Sequence, residues 1–218
     1  MPVLRQRAKN ADTPKGEAAE RGPKARTRRL MLQAATGLMQ SGVTPSVSEV
    51  AQAAGVSRAT AYRYFPSQAV LIHTVVDEAL GPILDWSPDD SDAKARVKDL
   101  LASSLPRINE FEATFKAALK LSLDQWARRQ DGTLSAEPQF TRGHRVDLLM
   151  RATKPLEETL SRAQRLRLSQ ALSMIFGVEV IIVLRDIWGL GAAEAEAVAQ
   201  WAAQALVKAA EAEAIGGK

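Results

Sequence analysis

P-S-V-S-E-V-A-Q-A-A-G-V-S-R-A-T-A-Y-R-Y-F-P-S-Q, from Pro45 to Gln68, reads as two short helices joined by a tight turn. Ser46 and Glu49 fit an S-x-x-E capping box at the start of the first helix. Val47, Val50, Ala51 and Ala54 then recur at i, i+3, i+4 and i+7, one apolar stripe. Gly55 supplies the left-handed residue that ends the helix. Val56 plugs the gap between the two helices, and Ser57 caps the second. That second helix, about Arg58 to Tyr64, is stopped by Pro66, which disfavours helical geometry at Phe65. Two helices crossing steeply at a glycine turn form a helix-turn-helix, whose second helix can enter the DNA major groove.

The second helix divides by side. Ala61 and Phe65 face inward; Arg58, Ala59, Tyr62 and Arg63 face outward, with Thr60 and Tyr64 flanking. An arginine fork matches O6 and N7 of guanine, while serine, threonine and tyrosine hydroxyls suit phosphate oxygens. Arg58, Tyr62 and Arg63 are therefore the candidates for base edges, and Ala59 for a thymine methyl. Ser46, Thr60 and Tyr64 are the candidates for phosphates. The bland alternative is an ordinary surface hairpin, but caps, turn glycine and polar face agree within one short window.

The run A-x-A-A-G-V-S-R-A-T-A-Y-R-Y-F-P-S, residues 51–67, closely resembles the DNA-binding signature of the tetracycline-repressor (TetR) family of bacterial transcriptional regulators. The resemblance covers about residues 24 to 85; beyond them it is one of size and helical layout. It implies a homodimeric, all-α repressor whose larger domain binds a small ligand that releases it from an operator. It also places Ser48 near bases. Where family members often carry a phosphate-holding lysine, this chain has Gln68, which keeps a donor and loses the charge.

Outward from the motif, charge is unevenly spread. Residues 1–29 hold nine Lys/Arg and three Asp/Glu, net +6, whereas the remainder holds 20 basic and 22 acidic residues. A basic amino-terminal arm, residues 1–23, is expected to be disordered and to attract phosphate without regard to sequence; a passive solvated tail is the alternative. The chain has no cysteine, so disulfides and thiolate metal sites are excluded, and no signal peptide or apolar run of membrane-spanning length appears. A cytoplasmic protein that does not engage membranes is expected.

The periodicity predicts an all-α fold: a three-helix helix-turn-helix head over residues 24–66, and a larger helical effector-binding and dimerisation domain over 67–218. Helices are expected at about 24–40, 67–84, 93–105, 109–130, 143–156 and 163–188, then a last one to about 212. Pro106 is expected to end the helix beginning at Ala93. The Ser87–Asp92 run lacks the order of a calcium loop and reads as helix capping. Aromatic and polar residues interleave between Phe111 and Leu149, as in inter-helix ligand pockets. Phe111, Phe115, Trp126, His144 and Phe176 are the pocket candidates, for a small apolar or amphipathic effector, although plain core packing explains each of them singly.

Residues 163–188 are apolar on every side, and a helix apolar all round must be buried all round. The last two helices are therefore expected to pack against a second copy in a four-helix interface through Ile175, Val178, Ile182, Trp188, Trp201 and Ala205. Glu179, Arg185 and Asp186 read as ion pairs that fix register. Two-fold symmetry would set two recognition helices one duplex turn, ~34 Å, or a small multiple apart. No P-loop, G-x-S-x-G, G-x-G-x-x-G, H-x-x-H or H-E-x-x-H pattern appears, and the two histidines are far apart in sequence. Neither catalysis, a cofactor nor a metal is expected. The expectation is a homodimer bound to a palindromic double-stranded operator, released when ligand shifts the 67–84 helix; the alternatives are a constitutive DNA binder without effector and a helical enzyme without a recognisable motif.

Overall fold

The computed structural model describes residues 22–134, 138–140 and 142–216, and the expected basic arm lies almost wholly outside them. Every regular element within them is helical. The order is α1 (Pro23–Gln40), α2 (Val47–Ala53), α3 (Arg58–Tyr64), α4 (Gln68–Leu80), α5 (Ala93–Glu110), α6 (Glu112–Gln130), α7 (His144–Ala152), α8 (Arg162–Ser173), α9 (Val178–Ile181) and α10 (Ala192–Gly216). Among the described residues no single helix is long and apolar enough to cross a membrane.

Short polar side chains set the helix starts. Ser46 accepts from the Glu49 amide while Glu49 accepts from the Ser46 amide at 2.7 Å, so two orphan donors of α2 are satisfied. Those hydrogen bonds, the backbone one foremost, hold the Glu49 carboxyl below its usual range. Ser57, Ser67 and Asp92 cap α3, α4 and α5 in the same way, and Ser161 with Gln164 forms a second capping box at α8. Gly55, at φ 65°, makes the turn between α2 and α3, a conformation costly to any residue with a Cβ.

Met31, Met39, Val47, Val50, Ala61 and Phe65 close the core of the three-helix head. That core runs on through α4, whose Leu71, Ile72 and Val75 are buried, into the larger body around Val97, Leu100 and Leu101 of α5. One face of α10, Ala195, Ala199, Ala203 and Val207, lies against α5, the small side chains allowing close approach. Gln200 and Gln204 fasten that contact by donating to the Lys98 and Lys94 carbonyls at 3.0 and 3.2 Å.

Three expected boundaries are corrected. Pro106 does not end α5, which runs through it to Glu110. An internal proline costs ~3 kcal/mol, but Ser104, Leu105 and Ile108 around it are buried, and one buried aliphatic side chain contributes about 1.5–3 kcal/mol. The helix from His144 ends at Ala152, because Pro155 turns the chain into a 3₁₀ segment, Lys154–Glu158. The apolar run 163–188 is not one helix. It breaks at Gly177, φ 122°, and resumes as α9 continued by a π-helical turn, Ile182–Ile187, with a bend of 50° between the two arms.

Candidate nucleic-acid interface and ligand cavity

α3 lies on the outer side of the head. Arg58, Ala59, Tyr62 and Arg63 are exposed, Thr60 and Tyr64 half-buried, and Ala61 fully buried against α2. The Tyr62 hydroxyl stands 3.4 Å from Ser48 Oγ, so α3 and α2 present one continuous polar edge. Lys24, at the start of α1, shares a shallow depression with Thr60, Arg63 and Tyr64, which brings a further cation to that side. Thr60 Oγ1 accepts from the Ser57 hydroxyl at 2.9 Å and Ser46 Oγ accepts from a backbone amide, so both are partly engaged within the head.

Gln68 is placed differently from its sequence expectation. Both hydrogens of its amide are used inside the protein, donated to the carbonyls of Thr44 at 3.2 Å and Pro45 at 3.1 Å. It ties the first turn of α4 to the loop before α2 and has no donor left for a phosphate. The same loop reaches the body, where the Thr44 hydroxyl donates to the Ala117 carbonyl of α6 at 3.4 Å.

The far half of α4 forms one wall of a cavity of about 70 Å³ inside the body. His73, Val76 and Leu80 come from α4, Ile108 from α5, and Phe115 and Ala118 from α6. Phe140 and Arg142 enter from the segment before α7, and His144, Arg145 and Leu148 from α7 itself. Phe176, Gly177 and Val178 close it at the break in the apolar run. Buried Gln125 holds the Phe140 wall: its Oε1 accepts from the Phe140 amide at 2.8 Å and its Nε2 donates to the Pro138 carbonyl at 3.3 Å.

Polar groups stand at two places in this apolar lining. Glu179 accepts from Arg145 at 2.8 Å and from Arg142, and Arg145 also donates to the Ser173 carbonyl at 3.2 Å. Burial works to raise the Glu179 pKa, but the hydrogen bond and charge of Arg145, with help from Arg142, outweigh it and hold the carboxyl below its usual range. At the second place, Asp77 Oδ1 stands 2.7 Å from His144 Nε2 and Asp77 Oδ2 stands 3.1 Å from His73 Nδ1. One carboxylate thus holds both imidazoles of the chain.

Of the sequence candidates for the cavity, Phe115, His144 and Phe176 line it. Trp126 is corrected: it is 59% exposed on the outside of α6, one position past Gln125, the last residue of that helix to turn inward. Phe111 is also outside the lining, at the α5–α6 joint beneath the Arg107 guanidinium, 4.9 Å from its ring centre. The sequence reading missed the α4 contribution and both arginines. The signal was there in His73 and Asp77, four apart and hence on one side of a helix.

The carboxy-terminal face carries a different chemistry. Ile187, Trp188 and Trp201 are each more than 70% exposed, and Val183, Val198 and Ala205 are exposed beside them. Ile175 and Ile182 are half-buried, and Val178 leaves the set altogether because the break at Gly177 turns it into the cavity wall. The charges expected to fix register pair within the chain: Arg185 with Glu112 at 2.5 Å, and Lys116 with Glu112 at 2.6 Å and Asp186 at 2.7 Å. The Asp186 and Glu112 bonds raise the Lys116 pKa.

Residues 32–75 match the family model of bacterial regulatory proteins, tetR family. No curated protein matches the chain. The fold is similar to that of a tetR-family transcriptional regulator from Streptomyces coelicolor, 19% identical, with a TM-score of 0.58 over 86% of this chain and 82% of that one. It is also similar to a putative tetR-family transcriptional regulator from Mesorhizobium loti MAFF303099, 18% identical, with a TM-score of 0.52 over 86% of this chain and 98% of that one.

Proposed function

We propose, for a chain whose residues 32–75 match the tetR family of bacterial regulatory proteins, a homodimeric transcriptional regulator that binds a palindromic operator and is released by a small ligand. The observation that carries this reading is the double use of α4. Its first turn is fastened through Gln68 to the loop that sets α2, and its second half supplies His73, Val76 and Leu80 to the cavity. A ligand that widens the cavity presses on α4 among its walls, and a shift of α4 is passed to the head through the Gln68 bonds.

In this reading Arg58, Tyr62 and Arg63 meet base edges, Ala59 a thymine methyl, and Thr60, Tyr64 and Ser46 the phosphates, with Ser48 close to the bases through Tyr62. Lys24 and the basic residues before it add attraction that is independent of sequence. The apolar face of Ile187, Trp188, Val198 and Trp201 meets its copy, fixing the spacing of two recognition helices. An effector with a large apolar surface suits the lining, and its polar group would face the arginines or the histidines. At about 70 Å³ the cavity must open to admit it. Such an opening supplies the differential affinity between two states that release requires. Occupied and empty proteins then differ in the separation of their heads, and repression follows from occupancy of the operator.

Selection of bound sequences from a random duplex pool, with and without candidate ligands, tests the proposal. The expected product is an inverted repeat whose recovery falls when ligand is present. Recovery of no preferred sequence by the full chain would refute it.

A further inference from the structure

We propose that His73, Asp77 and His144 form a binding site for a divalent transition-metal ion of the zinc class, and that the bound ion governs the position of α4. One ligand atom from each of His73, Asp77 and His144 lies within 4.8 Å of the other two. Around a tetrahedral ion with bonds of ~2.0–2.1 Å, neighbouring ligand atoms stand ~3.3 Å apart. The two imidazoles, of His144 and His73, stand 2.7 and 3.1 Å from the two separate oxygens of Asp77, so the three groups already converge to about that spacing.

The chain contains two histidines and no cysteine, and both histidines stand on this one carboxylate. Two imidazoles with one carboxylate select borderline ions such as Zn²⁺, Co²⁺ and Ni²⁺; calcium and magnesium prefer oxygen ligands, and Cu⁺ prefers sulfur. Both imidazoles also line the apolar cavity. A three-ligand site of this kind leaves a coordination position toward that space, where water or a donor atom of an organic ligand completes the shell.

The consequence is mechanical. His73 and Asp77 belong to α4 and His144 is the first residue of α7, so the ion joins the helix that carries the head to the body. Binding requires neutral imidazoles with their lone pairs directed at the ion, which replaces the two hydrogen bonds to Asp77 by three coordinate bonds. This half of the inference rests on the regulatory reading given above; the site itself does not.

The experiment has two arms, both on the full chain. In the first, metal-free protein is titrated with Zn²⁺ by calorimetry and with Co²⁺ by visible absorption. One ion per chain and an intense tetrahedral Co²⁺ band are expected. Asp77→Asn and His144→Gln, which keep size and hydrogen-bonding capacity, should each lower Zn²⁺ affinity by ~100-fold or more, beyond the range typical of outer-shell losses. Circular dichroism of the metal-free variants should match that of the parent. If one variant loses helix content, the other carries the comparison. Absence of the band, or affinities unchanged in the folded variants, overturns the site. In the second arm, Zn²⁺ should change affinity for the selected duplex by ~10-fold or more, a coupling of the usual allosteric size, and His144→Gln should abolish the change. An ion that binds without altering duplex affinity overturns the coupling. A chain that binds ion but no duplex under any condition overturns the regulatory reading and leaves the site standing.

Discussion

Replacement of Trp201 by alanine is the sharpest test of how two copies associate. Trp201 sits on the outer face of α10 with 73% of its surface exposed, and alanine is the best helix former, so the isolated chain has little to lose. A tryptophan buries up to ~250 Å²; the exposed share, ~180 Å² at ~25 cal/mol per Å², sets an upper limit of ~4.5 kcal/mol per chain. Truncations at interface hot spots commonly cost ~2 kcal/mol or more. Because a two-fold interface uses each residue twice, the dimer should lose at least ~4 kcal/mol, a rise in Kd of about a thousandfold. Sedimentation equilibrium of parent and variant across a wide concentration range reads this directly, with circular dichroism to show that helix content is retained. A variant that dimerises as tightly as the parent refutes the assignment of this face, and so does a parent that sediments as a monomer throughout.

Arg58→Ala should weaken operator binding by ~1–3 kcal/mol and relax preference at one base pair, read by competition among duplexes changed one position at a time; a uniform loss would assign Arg58 to phosphate. Gly177→Ala places a Cβ 2.7 Å from an Arg145 nitrogen and 3.0 Å from a Glu179 oxygen at φ 122°, so the variant should lose ~1–3 kcal/mol, a fall in Tm of several degrees by calorimetry. Glu179 has a depressed folded pKa, so its contribution to stability is fully present above the unfolded carboxylate pKa and is lost as pH falls through the folded value. Chemical denaturation across the acid range should show this slope in the parent, and a smaller one in Glu179→Gln.

The head was legible from its residues because each signal there is local. Ser46 with Glu49, Ser57, Gly55 and Pro66 act within four positions of themselves, and the structure keeps them all at work. The body was less legible where long-range contacts override local preference. Gly177 sits in an apolar run where a lone glycine is ordinarily tolerated in a helix; here it adopts a φ of 122°, and the ion-paired Arg145 guanidinium fills the space a Cβ would need. That break turned Val178 from the expected outer face to the cavity wall. Pro106 misled in the opposite direction, since packing around it offsets a strong local penalty. The histidine pair was invisible as a motif because 70 residues of chain separate its members, and only the packing of α4 on α7 brings them to one carboxylate.

For the regulator proposed above, the neutral amide of Gln68 has a consequence for how fast the head would find its target. A lysine at that position would remain free to reach for phosphate and would be ordered only on contact. Here the side chain is already immobilised on the Thr44 and Pro45 carbonyls, so its rotamer entropy, of order 1–2 kcal/mol for a long side chain, is lost on folding rather than on docking. The head gives up some long-range pull and gains a docking surface that needs less rearrangement at the moment of encounter. Such a surface slides over unspecific duplex with less adhesion and loses less freedom when it stops. Its discrimination between sequences should therefore persist at ionic strengths that dissolve purely electrostatic contacts.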